Sequence, residues 1–178
     1  CFFMKISLSL DKSYSKDLSI MIDALRASST IITALQKFKT VIPVSDIEKA
    51  KFLAEKHKAV LAGERGGAKI KGFDTGNSPI DVKNFQEDVL VLTTTNGTRI
   101  LENMSSNNIL IGSFLNSQNV ASKALELAVN HIEVVMAGVN GNFAIEDFLS
   151  AGEIISYLKD GKLDETALAA MMACSNRA

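Results

Sequence analysis

No tryptophan occurs in the 178 residues, aromatic residues make up 6%, and the 19 lysines and arginines are balanced by 20 aspartates and glutamates. A chain of net charge −1 with so few rings lacks the basic footprint and the base-stacking platform of a nucleic-acid binder, so no nucleic acid is expected as partner. Cysteine is equally scarce. Cys1 and Cys174 stand at opposite ends, which is neither a disulfide framework nor a zinc pattern and fits a reducing compartment. No apolar run approaches the roughly 18 residues of a membrane span, so no membrane contact is expected. The opening CFFMKISLSL is too short and poorly flanked for a signal peptide, and its first residue suggests a start inside a longer gene product. These absences together point to a soluble, cytoplasmic protein.

What is present suits one domain, or two small halves sharing a core: 47% apolar and 22% charged residues. Short apolar runs at 18–23, 41–44, 59–63, 89–94, 108–112 and 132–138 read as strands. Most are almost continuously apolar, as strands buried on both faces of a mostly parallel sheet should be. Helical spacing marks 27–38, 46–57, 97–104, 117–129, 145–158 and about 164–173, with Asp46 and Asn116 or Ser117 as N-caps. Such alternation predicts an α/β fold, a layered α/β/α sandwich around a mostly parallel sheet.

DLSIMIDALRASSTIITAL…VIPVSDIEKAKFLA parallels DVLVLTTTNGTRIL…ILIGSFLNSQNVASKAL, and AVLAGE parallels VVMAGV. A single domain of two similar halves, about 4–87 and 88–178, is therefore expected.

Four polar clusters fall at the carboxyl ends of predicted strands, where open α/β sheets collect their ligands. In IDALRASST, Asp23 ends a strand while Arg26, Ser28, Ser29 and Thr30 open a helix, a combination suited to phosphate or to a capped helix with a surface ion pair. In TTTNGTR, Thr95 ends a strand, Asn96 and Gly97 turn the chain, and Thr98 and Arg99 begin a helix, either an ordinary turn or a second helix start that flanks one anion together with the first or takes an anionic group of its own. AGERGGAKIKGFDTGNSP, residues 62–79, holds five of the eleven glycines. It offers Glu64, Asp74 and nearby Asp81 as hard oxygen ligands, and Arg65, Lys69 and Lys71 as counter-charges. Its glycines allow close backbone approach, and a long irregular loop is read as a charged flap over a site or as a mobile excursion. Fourth, AGVNGNFAIEDFLSAGEI places Glu146 and Asp147 in a helix's first turn, where they complement its dipole or bind metal. The cysteines lack the phosphatase setting, His57 and His131 lie outside the clusters, and no GxxxxGK[ST], GxGxxG or GxSxG occurs.

Taken in order, IDALRASSTIITAL, AGERGGAKIKGFDTGNSP, LTTTNGTRIL, IGSFLN and AGVNGNFAIEDFLSAGEI resemble the 2-phosphosulfolactate phosphatase family, the ComB family of coenzyme M biosynthesis. The resemblance implies a Mg²⁺-dependent phosphoric monoester hydrolase releasing phosphate from 2-phospho-3-sulfolactate, on an α/β fold of two similar halves. Chains of this family usually continue well past the position of Ala178, so a further C-terminal part is implied. On this reading the partner is a small phosphorylated acid of about three to four negative charges. Asp23, Glu64 and Arg26 carry the chemistry. Mg²⁺ falls to a subset of Asp23, Glu64 and Asp147, and Arg26 and Arg99 bind phosphate and sulfonate. Ser28, Ser29, Thr30, Arg65, Thr95, Asn96, Gly97 and Thr98 complete the substrate contacts. Attack by metal-oriented water is preferred to a phosphorylated Asp23. The rival readings are a phosphate- or sulfonate-binding module without catalysis, a phosphatase for another small phosphorylated acid, and an interaction protein whose glycine loop docks a partner. A homodimer is open, since apolar faces such as 145–158 suit internal packing or a dimer.

Overall fold

The computed structural model describes residues 4–158 and 160–175; Cys1 lies outside them. In chain order the described elements are β1 (Lys5–Leu10), β2 (Leu18–Ile22), α1 (Ala27–Ala34), β3 (Thr40–Pro43), α2 (Ile47–His57), β4 (Val60–Arg65) and β5 (Ala68–Lys69). After a short 3₁₀ turn (Asp81–Asn84) come β6 (Val89–Thr93), α3 (Gly97–Asn103), β7 (Asn108–Gly112), α4 (Ser117–Leu127), β8 (His131–Met136), α5 (Ile145–Ser156), β9 (Lys162–Leu163) and α6 (Glu165–Ser175). The fold is α/β with mostly parallel pairing, as expected. Every expected strand and helix is present, with ends shifted by a few residues. β1 and the two-residue β5 and β9 are additional.

The strands are shared between two sheets, in the orders β7-β2-β8-β1-β9 and β3-β6-β4-β5. All pairings are parallel except the β4–β5 hairpin. The two repeats exchange their leading strands. β2 of the first lies between β7 and β8 of the second, and β6 of the second lies between β3 and β4 of the first. The carboxyl ends of β2 and β6, both central strands, are thereby brought face to face.

The cores explain the layering. β2 is buried throughout because both faces of its sheet are covered. Ile20, Ile22, Val134 and Met136 pack against Val120 of α4, Ile154 of α5 and Ala170 of α6, while Met21 and Val135 pack against Ile100 of α3. In the second sheet Leu90 and Leu92 meet Ile31 and Ala34 of α1, and Val91 meets Ala50 and Ala54 of α2. Leu101 and Ile111 join the clusters beneath α1 and α3, so these two short helices lie between the sheets. The apolar face of α5 is taken by α6 and the first sheet, and Gly152 lets the two helices touch backbone to backbone at Ala170.

Asp46 caps α2 by accepting from Lys49 N at 2.7 Å. Asn116 stands at the start of α4 but does not cap it. Its Oδ1 accepts from Ser113 N and its Nδ2 donates to Ile111 O, both at 3.0 Å, so it braces the β7–α4 turn instead. Residues 62–79 are more ordered than a mobile loop. They begin as a hairpin, and the segment after it runs parallel beside β4, pinned by Gly63 N–Thr75 O at 3.1 Å and Asp74 N–Leu61 O at 2.9 Å. Among the described residues no helix is long and apolar enough to cross a membrane.

Candidate active site

A cleft of about 340 Å³ opens where the carboxyl ends of β2, β4, β6 and β8 converge. Asp23, Leu25 and Arg26 follow β2, Glu64 comes from β4, and Gly66 and Gly67 from the hairpin turn after it. Thr95 and Asn96 follow β6, Val139 and Asn140 follow β8, and Asn77 comes from the pinned segment after the hairpin.

Asp23 is the hinge of the arrangement. It is 8% exposed; its Oδ1 accepts from Ala27 N at 3.1 Å and its Oδ2 from Gly97 N at 3.0 Å. One carboxylate thus satisfies the first free amides of α1 and α3, one helix from each repeat. The anion expected between these two helix starts is the protein's own. Gly97 is required here by contact: a Cβ would lie 2.7 Å from Ala27 Cβ and 2.8 Å from Asp23 Oδ2. Burial raises the Asp23 pKa above the usual carboxylate value, and the charge of Glu64 pushes the same way against the lowering amide bonds.

Glu64 is fixed on both oxygens. Oε1 accepts from Thr95 N at 2.7 Å; Oε2 accepts from Gly67 N at 2.8 Å and from Thr95 Oγ1 at 3.2 Å. The hairpin makes this possible. Arg65 pairs with Ala68, and the two intervening glycines take φ of +58° and +83°, the double left-handed turn that suits a two-residue β-hairpin.

Asp147 lies behind the cleft, 3% exposed, and does not line it. Its Oδ1 accepts from Ala24 N at 2.7 Å and its Oδ2 from Gly138 N at 2.9 Å, tying the ends of β2 and β8 to the start of α5. Burial, together with the charges of Asp23 and Glu146, raises its pKa to about 6.

Several expected contacts point elsewhere. Ser28 Oγ accepts from Asp23 N at 2.9 Å, Ser29 Oγ donates to Ala24 O at 2.7 Å, and Thr30 is wholly buried; none lines the cleft. Thr98 is buried too, its hydroxyl accepting from Thr94 N and donating to Thr94 O. Ser28 and Thr98 do the same work in the two repeats, each tying its helix to the preceding strand end. Arg65 turns away to donate to the carbonyls of Glu64 and Ser45 and to Thr93 Oγ1. Arg99 pairs with Asp11 outside the cleft. Asp74 accepts from Leu61 N at 2.8 Å, and neither it nor Asp81, Lys69 or Lys71 borders the cleft. Of the expected site residues, Asp23, Arg26, Glu64, Thr95 and Asn96 share one cavity, with Gly97 directly behind Asp23. Asn77 and Asn140 were not foreseen as site residues. Asn140 opens the Asn-Gly-Asn turn after β8, and Asn77 has only its place in the glycine-rich stretch to mark it.

Among the described residues no three His, Cys, Asp or Glu side chains gather closely enough to enclose a metal ion. Two hard carboxylates do border the cavity, which is the protein share that Mg²⁺ commonly takes when substrate phosphate and water complete its shell. The donor set fits a cation held by Asp23 and Glu64, and leaves Asp147 out.

Two acids and an arginine around a concave site at strand carboxyl ends define an α/β protein built to receive a small charged ligand. Comparison with known proteins narrows the class. Residues 5–178 match the family described as 2-phosphosulpholactate phosphatase. A 2-phosphosulfolactate phosphatase of Methanothermobacter thermautotrophicus is 53% identical over 98% of this chain and 75% of its own length. Proteins named "Probable 2-phosphosulfolactate phosphatase" are 42% identical in Clostridium novyi, over 94% of this chain and 77% of theirs, and 45% identical in Thermotoga maritima, over 85% and 67%. The chain belongs to the 2-phosphosulfolactate phosphatase family, a family of phosphomonoester hydrolases.

Proposed function

We propose that this chain hydrolyses 2-phospho-3-sulfolactate to 3-sulfolactate and phosphate, with Mg²⁺ as cofactor, as a step of coenzyme M biosynthesis. The observation that carries the reading is the pairing of family membership with a cleft in which Asp23 and Glu64 meet Arg26. Two carboxylates facing one guanidinium leave the cavity net negative, so a polyanionic ester needs added positive charge to bind. Mg²⁺ held by Asp23 and Glu64 would supply that charge and polarise the phosphoryl oxygens.

The protein's own groups do the rest. Arg26 is exposed at the cleft and makes no ion pair among the described residues, so its guanidinium is available to phosphoryl or sulfonate oxygens. Water is the nucleophile in this reading. Its oxygen forms the new P–O bond, the ester P–O bond breaks, and the electron pair leaves with the lactate C2 oxygen, which takes up a proton. Asp23 borders the cleft and is placed to orient the attacking water. Both of its oxygens are tethered to amides, which favours a fixed base or ligand over a carboxylate that swings to attack phosphorus.

The test is phosphate release by the full chain from 2-phospho-3-sulfolactate and from an aryl phosphate, with Mg²⁺ and with EDTA. Mg²⁺-dependent release favouring phosphosulfolactate supports the reading. Folded protein that releases phosphate from neither substrate overturns it.

A further inference from the structure

Asn77 is 4% exposed and borders the cleft, yet neither of its amide atoms makes a hydrogen bond among the described residues; Oδ1 is enclosed without a partner. A buried carboxamide in that state costs folding free energy, because water's hydrogen bonds have been given up for none. Nor is it free to turn outwards. The segment carrying it is clamped to β4 through Thr75 O and Asp74 N, Leu61 N donates to Asp74 Oδ2 at 2.8 Å, and Phe73 and Thr75 are buried beside it.

Its neighbours show why an uncommitted amide matters. Gly67 N and the Thr95 amide and hydroxyl are spent on Glu64, and the first free amides of α1 and α3 are spent on Asp23. Three asparagines border the net negative cavity with side-chain NH2 groups uncommitted among the described residues, Asn77, Asn96 and Asn140; of these Asn77 alone is buried, a rigidly placed neutral donor. We propose that Asn77 is a ligand-binding residue of this cleft, its Nδ2 donating to an anionic oxygen of the bound phosphate ester. Oδ1 stays enclosed and makes no contact with the ester, which when fully ionised offers it no donor. The identity of the ester rests on the phosphatase reading; the anion site itself does not.

The test uses the full chain with Asn77→Ala and the near-isosteric Asn77→Asp. It reads turnover of 2-phospho-3-sulfolactate with Mg²⁺, calorimetric binding of inorganic phosphate, and Tm. For Asn77→Ala the expected result is a KM and a phosphate Kd raised about 10- to 100-fold, with Tm unchanged or higher because the unpaired group is gone. For Asn77→Asp the loss is larger, since a carboxylate faces the anion. A lowered Tm with wild-type KM and Kd assigns Asn77 to the scaffold and overturns the proposal, as does no change in either variant. Weakened phosphate binding in a protein that does not hydrolyse the ester leaves Asn77 in place and removes the phosphatase reading. Wild-type turnover in Asn77→Ala does the reverse.

Discussion

Replacing Gly97 by alanine perturbs the junction of the two repeats with a single methyl group. The added Cβ would lie 2.8 Å from Asp23 Oδ2 and 2.7 Å from Ala27 Cβ, whereas ordinary contact begins at 3.4 Å. Neither neighbour is a flexible tip. Ala27 Cβ is set by the α1 backbone, and the Asp23 carboxylate is tethered to two amides. The carboxylate must therefore shift by about 0.6 Å, or α1 and α3 must part. Overpacking of this kind costs about 2 kcal/mol, which for a chain of this size lowers Tm by about 4–8 °C. Activity should suffer more, since misplacing a reacting group by a fraction of an ångström to an ångström costs about 10- to 100-fold. The assay is kcat/KM for phosphate release, with Tm by calorimetry. Gly76→Ala is the control, because a Cβ there meets nothing nearer than 3.6 Å. Gly97→Ala with wild-type kcat/KM and Tm would refute the claim that Asp23 is held in place across the two helix starts.

The two arginines beside this region should separate cleanly. Arg26→Ala is expected to leave Tm within a degree or two while raising KM about 10- to 100-fold, the loss of one charge-assisted contact to an anion. Arg65→Ala removes three hydrogen bonds to Ser45, Thr93 and Glu64 and should cost about 2 kcal/mol of stability. Activity per folded molecule should change little; the opposite assignment in thermal and kinetic assays would contradict the placement. Asp147 sets a pH dependence. Its folded pKa, raised from 3.8 to about 6, means its contribution is full below 3.8 and is lost as pH rises to about 6. By this linkage wild type loses on the order of 3 kcal/mol relative to Asp147→Asn between pH 3.5 and 7.5. Denaturant titrations of both proteins across that range check it, and a flat difference would show that Asp147 is not buried as described.

The element pattern was readable because buried parallel strands are apolar runs and the helices keep their period, as β6 and α2 show. β1 was the exception. Its Ile6, Leu8 and Leu10 alternate with Ser7 and Ser9 in strand fashion, but six residues at the head of a chain share that composition with a targeting segment. The strand exchange was not readable. Repeats that each read strand, helix, strand look the same whether β2 pairs within its own half or inserts between β7 and β8. The same limit governs the site. Asp23 and Glu64 follow from their places at strand ends, whereas the directions of Arg65 and Arg99 depend on which carbonyls and carboxylates lie nearby after folding. Ser28 and Thr98 have the composition of an anion site, yet their hydroxyls are consumed by the backbone they stabilise. Asn77 is recognisable only by what its side chain fails to touch.

The most direct measurement is phosphate release from 2-phospho-3-sulfolactate by wild type, Asp23→Asn and Glu64→Gln, with Mg²⁺ present and folding confirmed by circular dichroism. The two carboxylates on one cleft predict that each variant stays folded and that each loses at least about 100-fold in kcat/KM, as expected when a buried ligand or base loses its charge. A folded variant of either residue with the wild-type rate would place the chemistry outside this cleft.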